Sequence, residues 1–176
     1  MKTTKIAYTA LFTALAVLLH YIEGLIPVPI PIPGFKLGLA NIVGVFALYY
    51  LGVQYYVVSN ICRVLIVALI STGFGTAFFL SCGGALLSTI MSIVLYKLLK
   101  CSVYGTSTVS ACFHVLGQIL VYILITTTPY MLSYFPILAV LSMVSGFLLA
   151  ILADILLKSV PSLKQRRGYK KQRDKA

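Results

Sequence analysis

Apolar stretches that are nearly free of charge recur along almost the whole of this sequence. A membrane-spanning helix needs roughly 20 mostly apolar residues to cross about 30 Å of hydrocarbon. Six stretches approach that length: 6–26, 37–53, 54–71, 75–98, 103–127 and 134–157. Turn-forming residues separate them, including a proline-rich run over 27–34, whereas only Gly52-Val53-Gln54 divides the second stretch from the third. The sequence therefore predicts an all-α polytopic membrane protein, a bundle of six transmembrane helices.

Composition excludes several other classes of protein. Of the 176 residues, 60% are hydrophobic and only 10% are charged. Soluble domains carry about 25% charged residues, because their surfaces must be wetted. A soluble enzyme, a disordered chain and a secreted disulfide scaffold are therefore excluded. The four cysteines form no CxxC pair, and we interpret them as buried small hydrophobic residues without a disulfide or a metal.

The basic residues predict how the chain is oriented. Short cytoplasmic loops of membrane proteins carry an excess of lysine and arginine. With the N-terminus inside, 12 of the 14 basic residues fall on the cytoplasmic side, seven of them among the last thirteen positions. We therefore expect a plasma-membrane protein with both termini inside. Residues 1–160 would form the transmembrane domain, and 161–176 a basic cytoplasmic tail that contacts anionic membrane lipid and no nucleic acid.

Charged and amide side chains lie inside or next to the predicted spans. Such groups cost a few kcal/mol each at the centre of a membrane helix, so they need a partner or a function. Counted at the helical rise of about 1.5 Å per residue, most of them lie in the outer half of the membrane. We predict that they line a substrate-binding cavity that is reached from outside. They are Glu23, Lys36, Asn41, Asn60, Arg63, His114 and Gln118.

Spacing adds detail to this prediction and leaves an alternative open. Asn60 and Arg63 are three residues apart, and His114 and Gln118 are four apart, so each pair shares one face of its helix. The excess of positive charge over Glu23 favours an anionic or strongly hydrogen-bonding ligand. In the alternative interpretation, Glu23 and Arg63 form a structural ion pair, while His114 and Gln118 only join helices.

Several kinds of chemistry have no support in this sequence. There is no P-loop motif GxxxxGK[ST], so we expect no ATP binding by this chain. The only acidic residues are Glu23, Asp154 and Asp174, which lie too far apart in depth to share a metal ion. Asp154 precedes Lys158 by four residues, which predicts a local helical ion pair. We therefore expect no catalytic residues, no metal and no cofactor.

Small residues recur at four-residue intervals on three of the predicted helices. They are Ala10 and Ala14 on the first helix, Gly84, Ser88 and Ser92 on the fourth, and Ser142, Gly146 and Ala150 on the sixth. This spacing lets another helix approach closely, and most such stripes pack within the protein's own bundle. The prolines of 27–34 prevent helix formation there, so we expect an extended lid over the cavity.

Two further segments carry a family resemblance. The run PGFKLGLANI over 33–42, together with Arg63 and the run FHVLGQ over 113–118, resembles the so-called Gx transporter family. That family is also labelled heptaprenyl diphosphate synthase component I. The resemblance extends to about Lys158. The family is similar to the substrate-binding S components of energy-coupling factor transporters, which are six-helix membrane proteins that capture vitamins or related micronutrients from outside.

The resemblance implies partners and roles. S components dock on a shared transmembrane coupling subunit that is driven by two cytoplasmic ATPases. It implies that the first helix contacts the coupling subunit through Ala7, Ala10 and Ala14, and that the loop over 27–36 gates the site of the small-molecule substrate. Two alternatives remain open. One is a non-catalytic membrane accessory subunit of a heptaprenyl diphosphate synthase, and the other is a stand-alone facilitator.

Overall fold

Six α-helices make up most of the described structure, which is a computed structural model covering residues 2–25 and 38–160. They are α1 (Lys2–Leu25), α2 (Leu39–Leu51), α3 (Val53–Val67), α4 (Thr76–Lys97), α5 (Val103–Thr126) and α6 (Phe135–Ser159). A π-helical segment over Ala68–Thr72 extends α3, and a 3-10 helix over Pro129–Tyr134 leads into α6. Each helix lies over one of the predicted stretches, and the described residues contain no strand. The all-α prediction is confirmed.

Five helical segments are long and apolar enough to cross a membrane. They are Thr3–Glu23, Val53–Ser71, Thr76–Lys97, Val103–Thr126 and Pro129–Ser159. At most 39% of the apolar window in any of them is buried inside the protein, so most of their apolar surface faces outward. Such an apolar exterior suits lipid and not water. A helix can lie in lipid because it satisfies its own backbone hydrogen bonds. The chain is a helical membrane protein.

The short helix α2 lies nearest the centre of the bundle. Around the bundle the helices neighbour one another in the order α1, α2, α6, α5, α4 and α3, and α3 returns to α1. α2 also contacts α3 and α5, and its residues Ala47 and Leu48 are fully buried. The break between α2 and α3 falls at Gly52, whose φ of 99° favours glycine. Because other helices surround the short α2, little of its surface faces lipid.

Hydrogen bonds join helices that neighbour one another. In membranes such bonds contribute only about 0.6 kcal/mol each on average, because the same groups also find partners in the unfolded state. The pairs are Thr13 to Ser59 at 2.9 Å, Tyr49 to Thr106 at 2.8 Å, Tyr56 to Ser92 at 3.2 Å and Ser107 to the carbonyl of Gly146 at 2.7 Å. They link α1 to α3, α2 to α5, α3 to α4 and α5 to α6. Polar residues along the bundle therefore help to fix the order of its helices.

Glycines let α4, α5 and α6 approach one another closely. A Cβ atom added to Gly117 would lie 2.3 Å from the carbonyl oxygen of Gly83, and one added to Gly146 would lie 2.8 Å from the Cβ of Ala111. Real Cβ atoms do not approach other atoms so closely, so the backbones meet there directly. The small-residue stripes on α4 and α6 therefore pack inside the bundle. Ala7, Ala10 and Ala14 on α1 are instead exposed.

The other end of the bundle, away from the start of α2, carries the predicted ion pair. The amine of Lys158 lies 2.7 Å from Asp154 Oδ2, and the hydroxyl of Tyr104 on α5 donates to the same oxygen at 2.8 Å. The prediction of a local Asp154–Lys158 pair is confirmed, and Tyr104 adds a link between α5 and α6. The four cysteines are unpaired and only half-buried, so the expectation that they are buried is wrong.

The glycine contact between α4 and α5 gives a testable prediction. Gly117→Ala should destabilise the protein by about 1–3 kcal/mol, the usual cost of an overpacked contact, because Cβ would collide with the backbone of Gly83. The measurement is thermal unfolding of the purified protein in detergent. Gly105→Ala on the same helix is the matched control, since its Cβ would come no closer than 3.6 Å to another side chain. Equal stability of the two variants would contradict the proposed contact.

Candidate functional site

A small cavity lies at the end of the bundle where α1 ends and α2 begins. Its volume is about 20 Å³. A cavity needs roughly 10–15 Å³ to hold one water molecule, so this cavity has room for about one. Five of the seven predicted substrate-binding residues line it: Glu23, Asn41, Arg63, His114 and Gln118. These residues come from α1, α2, α3 and α5, so chain folding brings together side chains that are far apart in sequence.

Glu23 joins the end of α1 to the start of α2. Its side chain is only 3% exposed, and its carboxylate accepts a hydrogen bond from the backbone N–H of Gly38. Gly38 immediately precedes α2 and has φ of 83°, a conformation that glycine adopts readily. The first N–H groups of a helix lack partners within it, and the helix dipole favours negative charge there. The carboxylate therefore occupies a position that stabilises it.

Arg63 places a positive charge from α3 on the same cavity. The residue is 5% exposed, and its Nη1 donates to Asn41 Oδ1 over a long distance of 3.4 Å. The negative charge of Glu23 interacts favourably with it. Its Nε–H group is buried and has no hydrogen-bond partner in the described structure. Since an unsatisfied buried donor costs about 1–3 kcal/mol, this group has an unmet need for an acceptor.

The α5 residues reach the cavity because α4 carries a glycine opposite them. A Cβ at Gly84 would lie 2.8 Å from His114 Cε1 and 2.9 Å from Gln118 Cγ, so a larger residue would displace both side chains. His114 Nδ1 lies 3.4 Å from the hydroxyl of Ser88, which supports the alternative that it joins α5 to α4. The same ring also lines the cavity. The two interpretations of His114 are therefore compatible.

The structure does not bring every predicted residue to the cavity. The side chain of Asn60 donates to Thr89 on α4 at 3.0 Å and is absent from the described lining. It shares a helix face with Arg63, but it lies one turn deeper, where α3 packs against α4. Lys36 and the predicted lid over 27–34 lie outside the described residues.

Two polar residues of the lining escaped sequence reasoning. His20 lies three residues before Glu23, so helical spacing would have placed both on one face of α1. Ser81 reaches the cavity from the first half of α4. Serine is common in membrane helices and forms a bond within its own helix here, to the carbonyl of Ala77 at 2.8 Å. Its sequence position therefore carried no signal for a site.

A second concave feature is a groove between α1 and α3 on the outer surface of the bundle. It is open, mainly apolar and about 970 Å³ in volume. Ala10 and Ala14 line it, together with α3 residues that include Val58 and Ile66. Ala7 is exposed but does not contribute to the described lining. The groove follows most of the length of α1.

Long apolar helices and a polar cavity at one end of their bundle define a polytopic helical membrane protein with a candidate solute site. The profile of the family described as heptaprenyl diphosphate synthase component I matches residues 12–156. The chain belongs to this family, as its sequence motifs indicated. No curated protein and no solved structure matches the chain.

The buried charges give a second testable prediction. Glu23→Gln keeps the shape of the side chain but removes the negative charge that compensates Arg63. Breaking a buried ion pair in direct contact costs about 3–5 kcal/mol, so we expect a loss of stability up to that size in thermal unfolding. The double variant Glu23→Gln/Arg63→Met should recover part of it, since the uncompensated charge is then gone.

The matched control for this prediction is the same type of substitution at the other end of the bundle. Asp154→Asn removes a carboxylate whose partner, Lys158, has a side chain 76% exposed. Pairs that are open to solvent contribute no more than about 1 kcal/mol, and the asparagine oxygen can still accept the hydrogen bond of Tyr104, so this variant should lose little stability. If Glu23→Gln cost no more than Asp154→Asn, the carboxylate would not compensate Arg63.

Proposed function

We propose that this chain is the substrate-binding membrane subunit of an importer of the energy-coupling factor type. It would capture a vitamin-like or other small micronutrient from outside. The observation that carries the proposal is the convergence of Glu23, Asn41, Arg63, His114 and Gln118 on one cavity. A structural ion pair alone would not require an unpartnered guanidinium N–H on an arginine that lines the cavity.

The proposed orientation places the cavity toward the outside. If α2 counts as a sixth crossing, the cavity end of the bundle holds the predicted outer loops. The opposite end holds Lys5, Lys97, Lys100 and Lys158, as expected for the cytoplasmic side. Both termini would then lie on the cytoplasmic side of the plasma membrane. The basic segment 161–176 lies outside the described residues and is proposed as a tail that contacts anionic lipid.

The exposed alanines of α1 support docking on a coupling subunit. The small residues of α4 and α6 face other helices of the bundle, whereas Ala10 and Ala14 face an open groove. Small residues let the backbone of a second helix approach closely, so a helix of a transmembrane coupling subunit suits this groove. Two cytoplasmic ATPases would drive that subunit. The chain itself is proposed as non-catalytic, since its sequence carries no nucleotide-binding motif.

A second candidate function follows from the family description. The words component I imply partnership with another component of a heptaprenyl diphosphate synthase. This chain would then be a non-catalytic membrane accessory subunit. Among the described residues, no three histidine, cysteine or acidic side chains come together, so the catalytic metal site would belong to the partner chain. A stand-alone facilitator remains a third candidate.

Purification from the native membrane separates these candidates. After extraction in mild detergent, mass spectrometry of the co-purified proteins should identify a transmembrane coupling subunit and two ATPases. A soluble, carboxylate-rich prenyl diphosphate synthase in their place would favour the second candidate. Recovery of the chain without either set of proteins would leave the facilitator. Only the first outcome supports import driven by partner ATPases.

The docking groove gives a variant-based prediction. Ala10→Trp should obstruct the groove and reduce recovery of the coupling subunit at least tenfold in the same purification, without changing the thermal stability of the chain. Leu11→Trp is the matched control, because Leu11 is also exposed on α1 but does not line the groove. Full recovery of the coupling subunit with Ala10→Trp would show that α1 docks through another face, or that lipid alone fills the groove.

A further inference from the structure

We infer that the cavity recognises the carboxylate group of a small organic acid, and that Arg63 is its main anchor. This inference rests on the proposed function, since it names the chemical class of the solute that the same cavity would hold. It is carried by the position of one buried hydrogen-bond donor and by the charges around it.

The donor is the Nε–H group of Arg63. It is buried and has no partner in the described structure, while Nη1 on the same guanidinium contacts Asn41. The guanidinium is planar, so its Nε–H lies parallel to an N–H of the adjacent Nη. These two donors match the two oxygens of a carboxylate. Arg63 therefore has at least one unfilled donor on an edge of the kind that binds an oxyanion in two places.

The rest of the cavity adds polar groups to this edge. Gln118 on α5 lines the same cavity and is 7% exposed, so its amide can reach a bound group there with little competition from solvent. The hydroxyl of Ser81 also lines the cavity, but it already donates to the carbonyl of Ala77. An oxyanion bound to Arg63 would therefore meet a further donor, the amide of Gln118, from one other helix.

Charge selects a carboxylate over a phosphate. Glu23 lines the same cavity, so its negative charge already offsets the positive charge of Arg63. Because this pair carries no net charge, each negative charge of a bound anion lies near Glu23 without compensation, and a phosphate group, with between one and two such charges at neutral pH, is repelled more strongly. A carboxylate adds one charge only. Discrimination of this kind comes from repulsion of the wrong ligand as much as from attraction of the right one.

Size adds a further limit. The cavity of about 20 Å³ has room for a group of the size of a water molecule. A carboxylate group has three heavy atoms, so even the head group of a ligand requires lining side chains such as the half-buried Phe78 to move, and a small ligand requires the least movement. A small carboxylate such as acetate should consequently bind on its own, weakly and at millimolar concentrations.

The test uses the full-length chain in lipid nanodiscs with its arginines labelled with ¹⁵N. The Nε–H signal of Arg63 is assigned by its loss in Arg63→Lys. The other arginines, Arg166, Arg167 and Arg173, lie in the tail segment and serve as internal references. Sodium acetate, sodium phosphate and sodium chloride are then titrated at matched ionic strength. We expect the Arg63 signal to shift saturably with acetate and not with phosphate or chloride.

Other outcomes overturn the inference. A shift that is equal for acetate and chloride would show a general salt effect, and a saturable shift with phosphate alone would reverse the predicted class. Gln118→Leu should weaken acetate binding several-fold, whereas Gln54→Leu, at an exposed position near the other end of α3, should not. An unchanged Arg63 signal before titration shows that each variant is folded. Equal acetate affinity in both variants would overturn the part assigned to Gln118.

The result of this titration is independent of the result of the purification experiment. Saturable acetate binding without co-purified ATPases would sustain the carboxylate site and remove the importer. Co-purified ATPases without acetate binding would sustain the importer and remove the carboxylate site.

Discussion

The cost of placing charged groups inside an apolar bundle constrains the cavity end of this protein. An arginine at the centre of a membrane helix costs a few kcal/mol or more, and Arg63 is 95% buried by helices on all sides. It is accommodated because Glu23 supplies the opposite charge and Asn41 accepts one of its hydrogen bonds. Glu23 is in turn held by the N–H group that precedes α2. The ends of α1 and α2 are thus tied to the middle of α3.

Close helix packing makes room for this polar cluster. Gly83, Gly84 and Gly117 let α4 and α5 approach until their backbones touch, and Gly84 leaves the space that His114 and Gln118 occupy. Hydrogen bonds from Tyr49, Tyr56 and Ser107 then fix which helices are neighbours. The result is a bundle whose polar groups converge on one end while its apolar side chains face outward. A solute site and a lipid-facing or partner-facing exterior can therefore coexist in a chain of this size.

The proposed function uses two surfaces of the protein, the cavity and the α1–α3 groove. In the proposed function, Arg63 and its neighbours at the cavity would bind the solute, whereas Ala10 and Ala14 in the groove would contact the coupling subunit. Both features include parts of α1 and α3. A movement of α1 against α3 would therefore alter the cavity and the groove together. That arrangement suits a subunit that must report an occupied site to a partner in the membrane.

Hydropathy and turn residues determined the helices, because each span must satisfy its backbone bonds and bury apolar side chains along a fixed length. Because polar residues are scarce inside the spans, those that do occur there predicted most of the polar lining of the cavity. Only the tertiary structure showed that Asn60 donates to Thr89 on α4 and does not line the cavity, although Arg63 one turn away does. It also added His20 and Ser81 to the lining. Sequence spacing gives the face of a helix, but which neighbour that face meets at each depth depends on how the helices cross. That crossing is set by glycine contacts such as Gly83 with Gly117, which lie 34 residues apart.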